Sequence, residues 1–372
     1  EGFGAMHMNI SGGIRCSASK AYLDPIKNRS NLTIVTHATV QRVLLNNKQA
    51  LGVEYAANKK LHIAHSNKET ILSAGSIGSP HLLQLSGIGD KDDLTNAGIQ
   101  TLHHLPGVGK NLQDHLEVYV QWACKKPVSM YPALSPWRAP KIGFDWLFRK
   151  KGIGATNHFE AGGFIKSNDE VTYPNLQFHF LPLAIRYDGT APSEGHGFQV
   201  HIGPVKSDAR GHIRIKSSDP TEYPSILFNY LSTDLDRKEW VEAIRLSRKI
   251  IETEAMSELR GKELSPGIET QTDQEILDFV AKEGESAYHP SCTCAMGYGE
   301  MAVTDAELKV HGIEGLRVVD ASVFPYVTNG NIYQPVLMVA EKAVDIILGN
   351  TPLAPSDVKT KSLEENATLP GR

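Results

Sequence analysis

A strand that runs through small residues into a helix constrains the fold of this chain more than any other stretch of its sequence. Residues 69–75 predict a strand that ends in three small residues, and Ser79 and Pro80 predict a helix start, with Ser as N-cap and Pro in the first position. Gly87 ends the apolar face of that helix. A strand that enters a helix through small residues lets the backbone approach a bound group closely.

The same order of strand, small residues and helix returns near the other end of the chain. Residues 316–319 predict a buried strand that leads into Asp320, and Pro335 opens a stretch whose apolar residues recur at helical spacing. The two ends therefore resemble each other more than either resembles the stretch between them. We expect them to form one unit.

The middle of the chain predicts a different, antiparallel unit. Apolar and polar residues alternate at 176–181, 198–202 and 212–216, which is typical of a sheet with one covered face. Before the first strand-to-helix segment, short apolar runs starting with residues 32–36 predict a meander of strands. The fold class is therefore mixed α/β (α+β). The predicted segments are 1–105, 106–288 and 289–350, followed by a flexible polar tail at 351–372.

Composition excludes several kinds of partner and site. A chain of 372 residues that is 41% hydrophobic can bury a core, and a net charge of −4 offers no field that attracts nucleic acid. Four cysteines are too few for a disulfide scaffold, and Cys292 and Cys294 have no second pair for a zinc site, so no metal is predicted. Residues 336–348 contain three charges, so any membrane contact would be peripheral.

Four motifs carry a resemblance to a known family. Residues 76–89, which end in Ser-Gly-Ile-Gly, fit a signature of the glucose-methanol-choline (GMC) oxidoreductases, and so do the stretches at 106–115, 288–294 and 318–325. An ordinary capped helix would explain Ser79 and Pro80 but not the density of glycines around them. The resemblance extends from residue 1 to residue 349 and is closest to the choline dehydrogenase branch.

The resemblance implies an FAD-binding, Rossmann-like domain and a substrate domain. Residues 1–105 would be part of the FAD-binding domain, 106–288 the substrate domain with its antiparallel sheet flanked by helices, and 289–350 the return to the first domain with the active-site residues. For Asp320 the bland alternative is a strand-end residue that caps the next turn. The implied FAD-binding residues are Gly75, Ser76, Asn111, Asp114, His115, Asp320, Ala321, Asn331 and Ile332.

The start of the chain lacks one expected motif. Relatives begin with a strand and a Gly-rich turn that holds the ADP pyrophosphate on a helix N-terminus, and nothing in residues 1–27 fits that fingerprint. We therefore expect the chain to be the carboxyl-terminal part of a longer protein and to bind FAD poorly by itself. A flavin-free, non-catalytic fragment is one alternative function.

Two residues are the predicted catalytic pair. Oxidation of an alcohol by a flavin needs a base for the hydroxyl proton while hydride leaves for flavin N5, and a neutral His suits that proton transfer near pH 7. His289 matches the family's active-site His, and Asn331 matches the second position, where an amide can hydrogen-bond the substrate oxygen. The alternative for His289 is a purely structural role, and the alternative for Asn331 is a residue that only forms a turn.

Choline is the substrate that the resemblance implies, with betaine aldehyde as the product and glycine betaine after a second oxidation. Its quaternary ammonium cannot donate an N–H hydrogen bond, so it needs a carboxylate or aromatic faces. Glu160, flanked by Phe159 and Phe164, matches the position at which a choline-oxidising relative holds this group. Tyr333 and Gln334 depart from the branch and favour the alternative of another primary alcohol.

The resemblance also carries two expectations about the cell. Electrons would pass to a respiratory-chain acceptor rather than oxygen. The character of the tail favours a mitochondrial protein associated with the inner membrane, with a bacterial cytoplasmic or membrane protein as the alternative.

Overall fold

The computed structural model describes residues 1–186, 189 and 195–354, and all but the first four residues of the predicted tail lie outside this part. Its strands are β1 (Gly2–Ala5), β2 (Ile10–Ser11), β3 (Ile14–Arg15), β4 (Ala38–Asn46), β5 (Gln49–Ala57), β6 (Lys60–His65), β7 (Thr70–Leu72), β8 (Ile88–Gly89), β9 (His103–His104), β10 (Leu116–Cys124), β11 (Ala161–Ile165), β12 (Leu176–Leu181), β13 (Gly197–Pro204), β14 (His212–Arg214), β15 (Ser225–Leu227), β16 (Arg260–Ser265), β17 (Glu285–Ser286) and β18 (Leu316–Val318). Its α-helices are α1 (Gly75–Leu85), α2 (Lys91–Asn96), α3 (Ala139–Arg149), α4 (Asp234–Ile251), α5 (Asp273–Glu283) and α6 (Tyr333–Leu348).

The largest sheet of the described residues is antiparallel and confirms the prediction for the middle of the chain. Its strand order is β1-β11-β12-β13-β10-β16, and β17 pairs with β10. The apolar residues of one face, such as Val120 and Ile202, pack with Ile244 of α4 and Ile276 of α5 in one hydrophobic core. The opposite face carries polar side chains.

The ends of the chain meet in a second core, as their sequences predict. Strand β18 pairs with β7 in parallel, so the segments that follow both strands leave from the same edge. Val43, Leu83, Val318 and Val323 are among the residues of this core. The exact boundaries 1–105, 106–288 and 289–350 stay a prediction.

Helix α1 begins at Gly75, five residues before Pro80, the predicted first helical position. The hydroxyl of Ser79 does not cap the helix from outside but accepts the N–H of Ala74 at 3.0 Å. Pro80 lies inside the helix and cannot donate to the carbonyl of Ser76. The hydroxyl of Thr293 donates to that carbonyl instead, at 2.6 Å. A partner far away in sequence therefore allows the helix to continue through the proline.

Two other local predictions differ from the structure. Residues 32–36 form no strand, and Ile34 and Val35 are 45% and 53% exposed. An apolar run becomes a strand only where a neighbour takes its backbone hydrogen bonds, and no described strand pairs with this one. The third alternating segment does not join the large sheet, because β14 pairs with β15 in a separate hairpin.

No helix within the described ranges is both long and apolar enough to span a bilayer.

A buried ion pair joins α4 to the edge of the large sheet. Arg248 donates to Glu263 from Nε at 3.0 Å and from Nη2 at 2.9 Å, and it also donates to the carbonyls of Thr270 and Gly267. The two side chains are 11% and 7% exposed. Removing one member of such a pair leaves a buried charge without its counter-charge.

We expect Arg248→Met to lower the free energy of unfolding by about 3–5 kcal/mol, and Arg248→Met/Glu263→Met to recover most of that loss. The matched control is Arg245→Met on the same helix, whose partner Asp273 is exposed, and its cost should stay below about 1 kcal/mol. Thermal and urea unfolding curves measure all three. Equal losses for the two single variants would contradict the prediction.

Candidate active site

His289 is held in place by a buried carboxylate. Its backbone N–H donates to Asp114 Oδ1 at 2.9 Å, while Asp114 Oδ2 accepts the hydroxyls of Tyr230 and Ser286. Burial raises the pKa of Asp114, and these hydrogen bonds oppose that shift. Asp114 is predicted to bind the cofactor. In the structure its carboxylate instead accepts hydrogen bonds that fix the segment carrying His289.

A chain of hydrogen bonds selects the tautomer of His289. The carbonyl of Val205 can only accept, so His115 Nε2, at 2.9 Å, is the donor. The other nitrogen of a neutral His115 then accepts, and it lies 2.9 Å from His289 Nδ1, which must carry the proton. Nε2 of a neutral His289 is thereby left with an available lone pair. His115 thus contacts the predicted base.

The environment keeps His289 neutral. Its pKa is lowered to about 4, first by burial and then by the neighbouring His115, while Glu117 acts in the opposite direction. Burial likewise lowers the pKa of His115 and of His179. Near pH 7 the imidazole of His289 is therefore in the form that can accept a proton.

Asn331 lies beside the lone pair of His289. Its Oδ1 accepts from Gln177 Nε2 at 3.0 Å, which directs Nδ2 toward His289 Nε2 at 3.4 Å. Gly330, with φ of 121°, sets the turn that presents this amide, and the ring of Phe164 packs against that turn. The predicted catalytic pair is thus brought together, with an N–H donor and a lone pair side by side.

A cavity of about 670 Å³ opens in front of Asn331. Its described lining is Met6, His7, Met8, Asn9, Arg15, Ser17, Glu117, Asn157, Phe159, His179, His201, Asn331, Tyr333 and Gln334. A smaller adjoining pocket shares Glu117, His179 and His201 and reaches His289. The base and the cavity therefore share one wall.

Much of this wall is the polar face of the large sheet, which the sequence reasoning missed. His179 of β12 pairs in register with His201 of β13, which pairs with Tyr119 of β10. Gln177, His179 and His201 are the polar residues of alternating segments whose apolar residues enter the core. The alternation was visible in the sequence, but it does not show whether the polar face meets solvent or a cavity.

The predicted substrate residues are placed in three different environments. Phe159 lines the cavity, with its ring edge-on to the ring of His201 at 4.9 Å between centroids. Phe164 lies behind the turn at Gly330. Glu160 is exposed, its Oε1 accepts the hydroxyl of Thr156 at 3.1 Å, and it is absent from the described lining of the cavity.

Four of the predicted cofactor residues meet at the carboxyl edge of the parallel strand pair. Asp320 Oδ2 accepts the N–H of Gly75 and the hydroxyl of Ser79, and its Oδ1 accepts from Ser322, so its carboxylate braces the start of α1. Ala321 follows in a buried turn and its carbonyl accepts the N–H of Cys292. The hydrogen bond from the N–H of Ser322 corresponds to the capping alternative for Asp320, and the bracing of α1 is a further role.

The same edge has room and a polar atom for a ligand. Gly75 has φ of 77°, and a Cβ added there would meet no atom within 4 Å. The hydroxyl of Ser76 is buried and has no hydrogen-bond partner. The hydroxyl of Thr328, near Asn331, is also buried and without a partner. Open space at the edge of parallel strands together with these two orphaned hydroxyls fits a dinucleotide such as FAD.

The remaining cofactor predictions lie nearer the active site. Asn111, in the left-handed conformation with φ of 61°, donates to the carbonyls of Pro325 at 3.3 Å and Cys292 at 3.5 Å. Ile332 is buried in the core shared by the two ends of the chain. Neither placement tests a contact with FAD, so both stay predictions.

The cysteines offer no metal centre in the described part of the chain. All four are free, and no cluster of three or more His, Cys, Asp or Glu residues there is arranged to hold a metal ion. Burial raises the pKa of Cys292 to about 12 and that of Cys294 still further, so both thiols stay protonated.

Two relatives with similar sequences come from Staphylococcus species. The chain is 55% identical over 358 residues to the oxygen-dependent choline dehydrogenase of Staphylococcus xylosus, an alignment that covers 95% of this chain and 64% of the relative. It is 56% identical to the protein of the same name from Staphylococcus aureus strain JH9, covering 95% and 63%. The chain thus spans somewhat under two-thirds of these relatives' length. The expected mitochondrial location is not supported, because these relatives favour the bacterial alternative.

Solved structures and family profiles agree with the sequence relatives. A pyridoxine 4-oxidase from Mesorbium loti superposes with a TM-score of 0.82 at 29% identity, covering 94% of this chain and 65% of that one. A formate oxidase of Aspergillus oryzae RIB40, studied for modification of its FAD, gives 0.85 at 27% identity, covering 91% and 64%. Two profiles, both described as GMC oxidoreductase, match residues 1–117 and 207–340. The chain therefore belongs to the GMC oxidoreductase family.

Proposed function

We propose that the protein oxidises a primary alcohol with FAD and that choline is its substrate. One observation carries the proposal: the lone pair of His289 Nε2 and the N–H of Asn331 lie 3.4 Å apart beside a cavity of about 670 Å³. A hydroxyl oxygen within hydrogen-bond distance of both nitrogens would donate its proton to His289 and accept from Asn331. This is the arrangement that removal of a hydroxyl proton requires.

Each side chain has a defined part in this reaction. His289 takes the hydroxyl proton at Nε2, because His115 keeps the existing proton on Nδ1. Asn331 stabilises the developing alkoxide through Nδ2, while Gln177 prevents its amide from turning over. Donors already in position cost no reorganisation during the reaction.

FAD, when bound, accepts the two electrons that leave the alcohol carbon. Gly75 and Ser76 at the start of α1 and the turn at 320–322 would hold its phosphate and ribityl groups, supported by the open space at Gly75 and the orphaned hydroxyl of Ser76. Thr328 would hold the end nearer to Asn331. Asp320 contributes by bracing this edge through Gly75 and Ser79.

Choline is favoured by the names of the relatives from Staphylococcus. The product would be betaine aldehyde, and a second oxidation of its hydrate would give glycine betaine. Those names also contain "oxygen-dependent", which favours dioxygen over the respiratory-chain acceptor expected from the sequence. Peripheral attachment to a membrane stays a prediction.

A second candidate is another primary alcohol. Tyr333 and Gln334, the residues that depart from the choline branch, both line the cavity. Their side chains are therefore placed where they can select the alcohol.

The complete protein, loaded with FAD, should oxidise choline in preference to neutral primary alcohols. A panel of choline, 3,3-dimethyl-1-butanol and benzyl alcohol separates the two candidates, because the second alcohol has the shape of choline without its charge. Oxygen uptake and reduction of an artificial electron acceptor, measured in parallel, distinguish the electron acceptors. A preference for benzyl alcohol would favour the second candidate, and oxidation of none of the alcohols would contradict the proposal.

The pH dependence of kcat/KM should report the lowered pKa of His289. Protonation at Nε2 removes the base, so activity is lost as the pH falls through that pKa. We expect kcat/KM to fall with a midpoint near pH 4. An unperturbed His would give such a step at about pH 6.5. Steady-state rates from about pH 3 to 8 measure it, and His289→Gln should lose about 10²- to 10⁴-fold in rate together with the step. A step near 6.5 that persists in His289→Gln would assign the titration to another group.

His115 should act as a positioning residue, and two substitutions separate that role from simple packing. Asn at this position keeps an acceptor near the place of Nδ1, whereas Phe removes it, and both leave the carbonyl of Val205 without its donor. We expect His115→Phe to lower kcat by roughly 10- to 100-fold with little change in KM, and His115→Asn to retain most of kcat. Equal losses in the two variants would refute the tautomer argument.

A further inference from the structure

We propose that Glu239 of α4 is a positioning residue of the active site and that it works in its protonated form. It holds Val205, whose carbonyl fixes the tautomer of His115 and thereby leaves the lone pair of His289 free. This inference rests on the proposed function, because it adds a residue to the same site. Glu239 is absent from the described lining of the cavity, so it acts only through other residues.

A chain of hydrogen bonds leads from Glu239 to the active site. Asn175 Nδ2 donates to Glu239 Oε1 at 2.7 Å, and Asn175 Oδ1 accepts the backbone N–H of Ser167 at 2.8 Å, which fixes the orientation of this amide. The backbone carbonyl of Asn175 accepts the N–H of Val205 at 2.9 Å. The carbonyl of Val205 accepts from His115. Glu239 therefore orients the residue that holds Val205.

The links nearest to Glu239 are buried, so solvent cannot replace a lost contact. Asn175 and Val205 are each 1% exposed, and Glu239 is 6% exposed. Asn175 and Val205 lie one residue beyond the register pair of Leu176 and Pro204, where β12 begins and β13 ends. A buried amide that loses its acceptor must move to find another or stay unsatisfied. We therefore expect a change at Glu239 to displace the carbonyl of Val205.

Two orphaned oxygens indicate that Glu239 carries a proton. Glu239 Oε2 and Asp236 Oδ2 are both buried and have no hydrogen-bond partner. The two residues are three positions apart on α4, so they are neighbours on one helix face. Ionised carboxylates only accept, so two ionised groups here would repel each other and leave both oxygens unsatisfied. One proton on Glu239 Oε2 turns that atom into a donor with an acceptor one turn away.

The geometry assigns this proton to Glu239 rather than to Asp236. Asp236 lies in the first turn of α4, where the helix dipole favours a negative charge, and its Oδ1 accepts the hydroxyl of Ser207 at 2.8 Å. Glu239 lies a turn further into the helix. Its Oε1 is already an acceptor, so Oε2 is the atom that carries the proton.

The charged groups around Glu239 favour the same form. Burial is the main cause that raises its pKa to about 7, and the hydrogen bond that it accepts acts in the opposite direction. Three carboxylates raise it further, Asp236 and Glu242 on the same helix and Asp208 after β13. Tyr173, before β12, also faces this group, and the charge of Glu239 adds to burial in raising the pKa of its hydroxyl.

Two substitutions in the complete, FAD-loaded protein separate positioning from packing. Glu239→Gln keeps an acceptor for Asn175 and a donor toward Asp236, as the protonated acid does, so kcat should stay within about 2-fold of the wild type. Glu239→Leu removes both, and we expect kcat to fall roughly 10-fold with little change in KM. If Glu239→Leu fails to fold, Glu239→Asp replaces it with the same expected direction, because its shorter side chain draws back from Asn175.

Glu242→Leu on the same helix is the matched control. The carboxylate of Glu242 accepts the amide of Asn168 at 2.9 Å, and Asn168 lies in the loop between β11 and β12. This variant removes a similar carboxylate–amide contact but leaves Asn175 with its acceptor, so kcat should stay near that of the wild type. Equal losses of kcat in Glu239→Leu and Glu242→Leu would overturn the inference, as would a loss in Glu239→Gln equal to that in Glu239→Leu.

Stability as a function of pH tests the proton itself. A Glu whose pKa is raised on folding stabilises the folded state fully below about pH 4.5, its ordinary pKa, and loses this contribution as the pH rises through about 7. Relative to Glu239→Gln, the wild type should therefore lose thermal stability over this interval. A difference between the two proteins that stays constant with pH would show that Glu239 does not carry the proton.

Nitrogen-15 NMR of histidine-labelled protein gives a readout of positioning that does not depend on turnover. The wild type, Glu239→Gln and Glu242→Leu should hold the proton of neutral His289 on Nδ1, whereas Glu239→Leu should give a mixture of tautomers. If no alcohol is oxidised but this pattern holds, the proposed function fails and the inference about Glu239 stands. A single, unchanged tautomer in Glu239→Leu would contradict the inference.

Discussion

The candidate site depends on one relay of hydrogen bonds. It starts at a carbonyl of β13 that can only accept, passes through His115 and ends at the lone pair of His289, with Asn331 on the far side. Each link has a single direction because the first acceptor has no proton to give. Asp114, the residue before His115, accepts the backbone N–H of His289 and so holds that residue in place. Two stretches of chain about 170 residues apart are thus joined at the reacting nitrogen.

The polar face of the large sheet supplies the rest of the site. Its apolar face packs against α4 and α5, so the opposite face has no helix of that core to cover it and is left to line a cavity. Strand register then places His179 opposite His201 and Tyr119 opposite His201. A set of imidazoles and amides results, and burial lowers the pKa of His179 among them. Glu117 contributes a carboxylate to this wall.

The cofactor edge illustrates how distant segments satisfy each other. Pro80 inside α1 leaves the carbonyl of Ser76 without its helical donor, and Thr293 supplies one. Asp320, from the last third of the chain, ties Gly75 and Ser79 to its own turn. The residue pairs that close this edge come from both ends of the sequence, which is why the two ends form a single core. The hydroxyl of Ser76 stays available for a ligand.

The sequence by itself determined the periodic elements and the motifs. Alternation predicted β12 and β13, and a Thr272–Glu275 capping box begins α5. The Gly-rich segment and the motifs around His289 and Asn331 predicted the family, which is confirmed, and a catalytic pair, which stays a prediction. These are local properties, set by which face of an element is apolar and by how its ends are capped. Tertiary structure decided what depends on partners remote in sequence: that α1 passes through Pro80, that residues 32–36 form no strand, and that the carboxylate in the cavity is Glu117 while Glu160 lies outside its lining. A hydrogen-bond donor, a pairing strand or a cavity wall comes from a segment remote in sequence. No pattern within a single segment predicts which remote segment that will be.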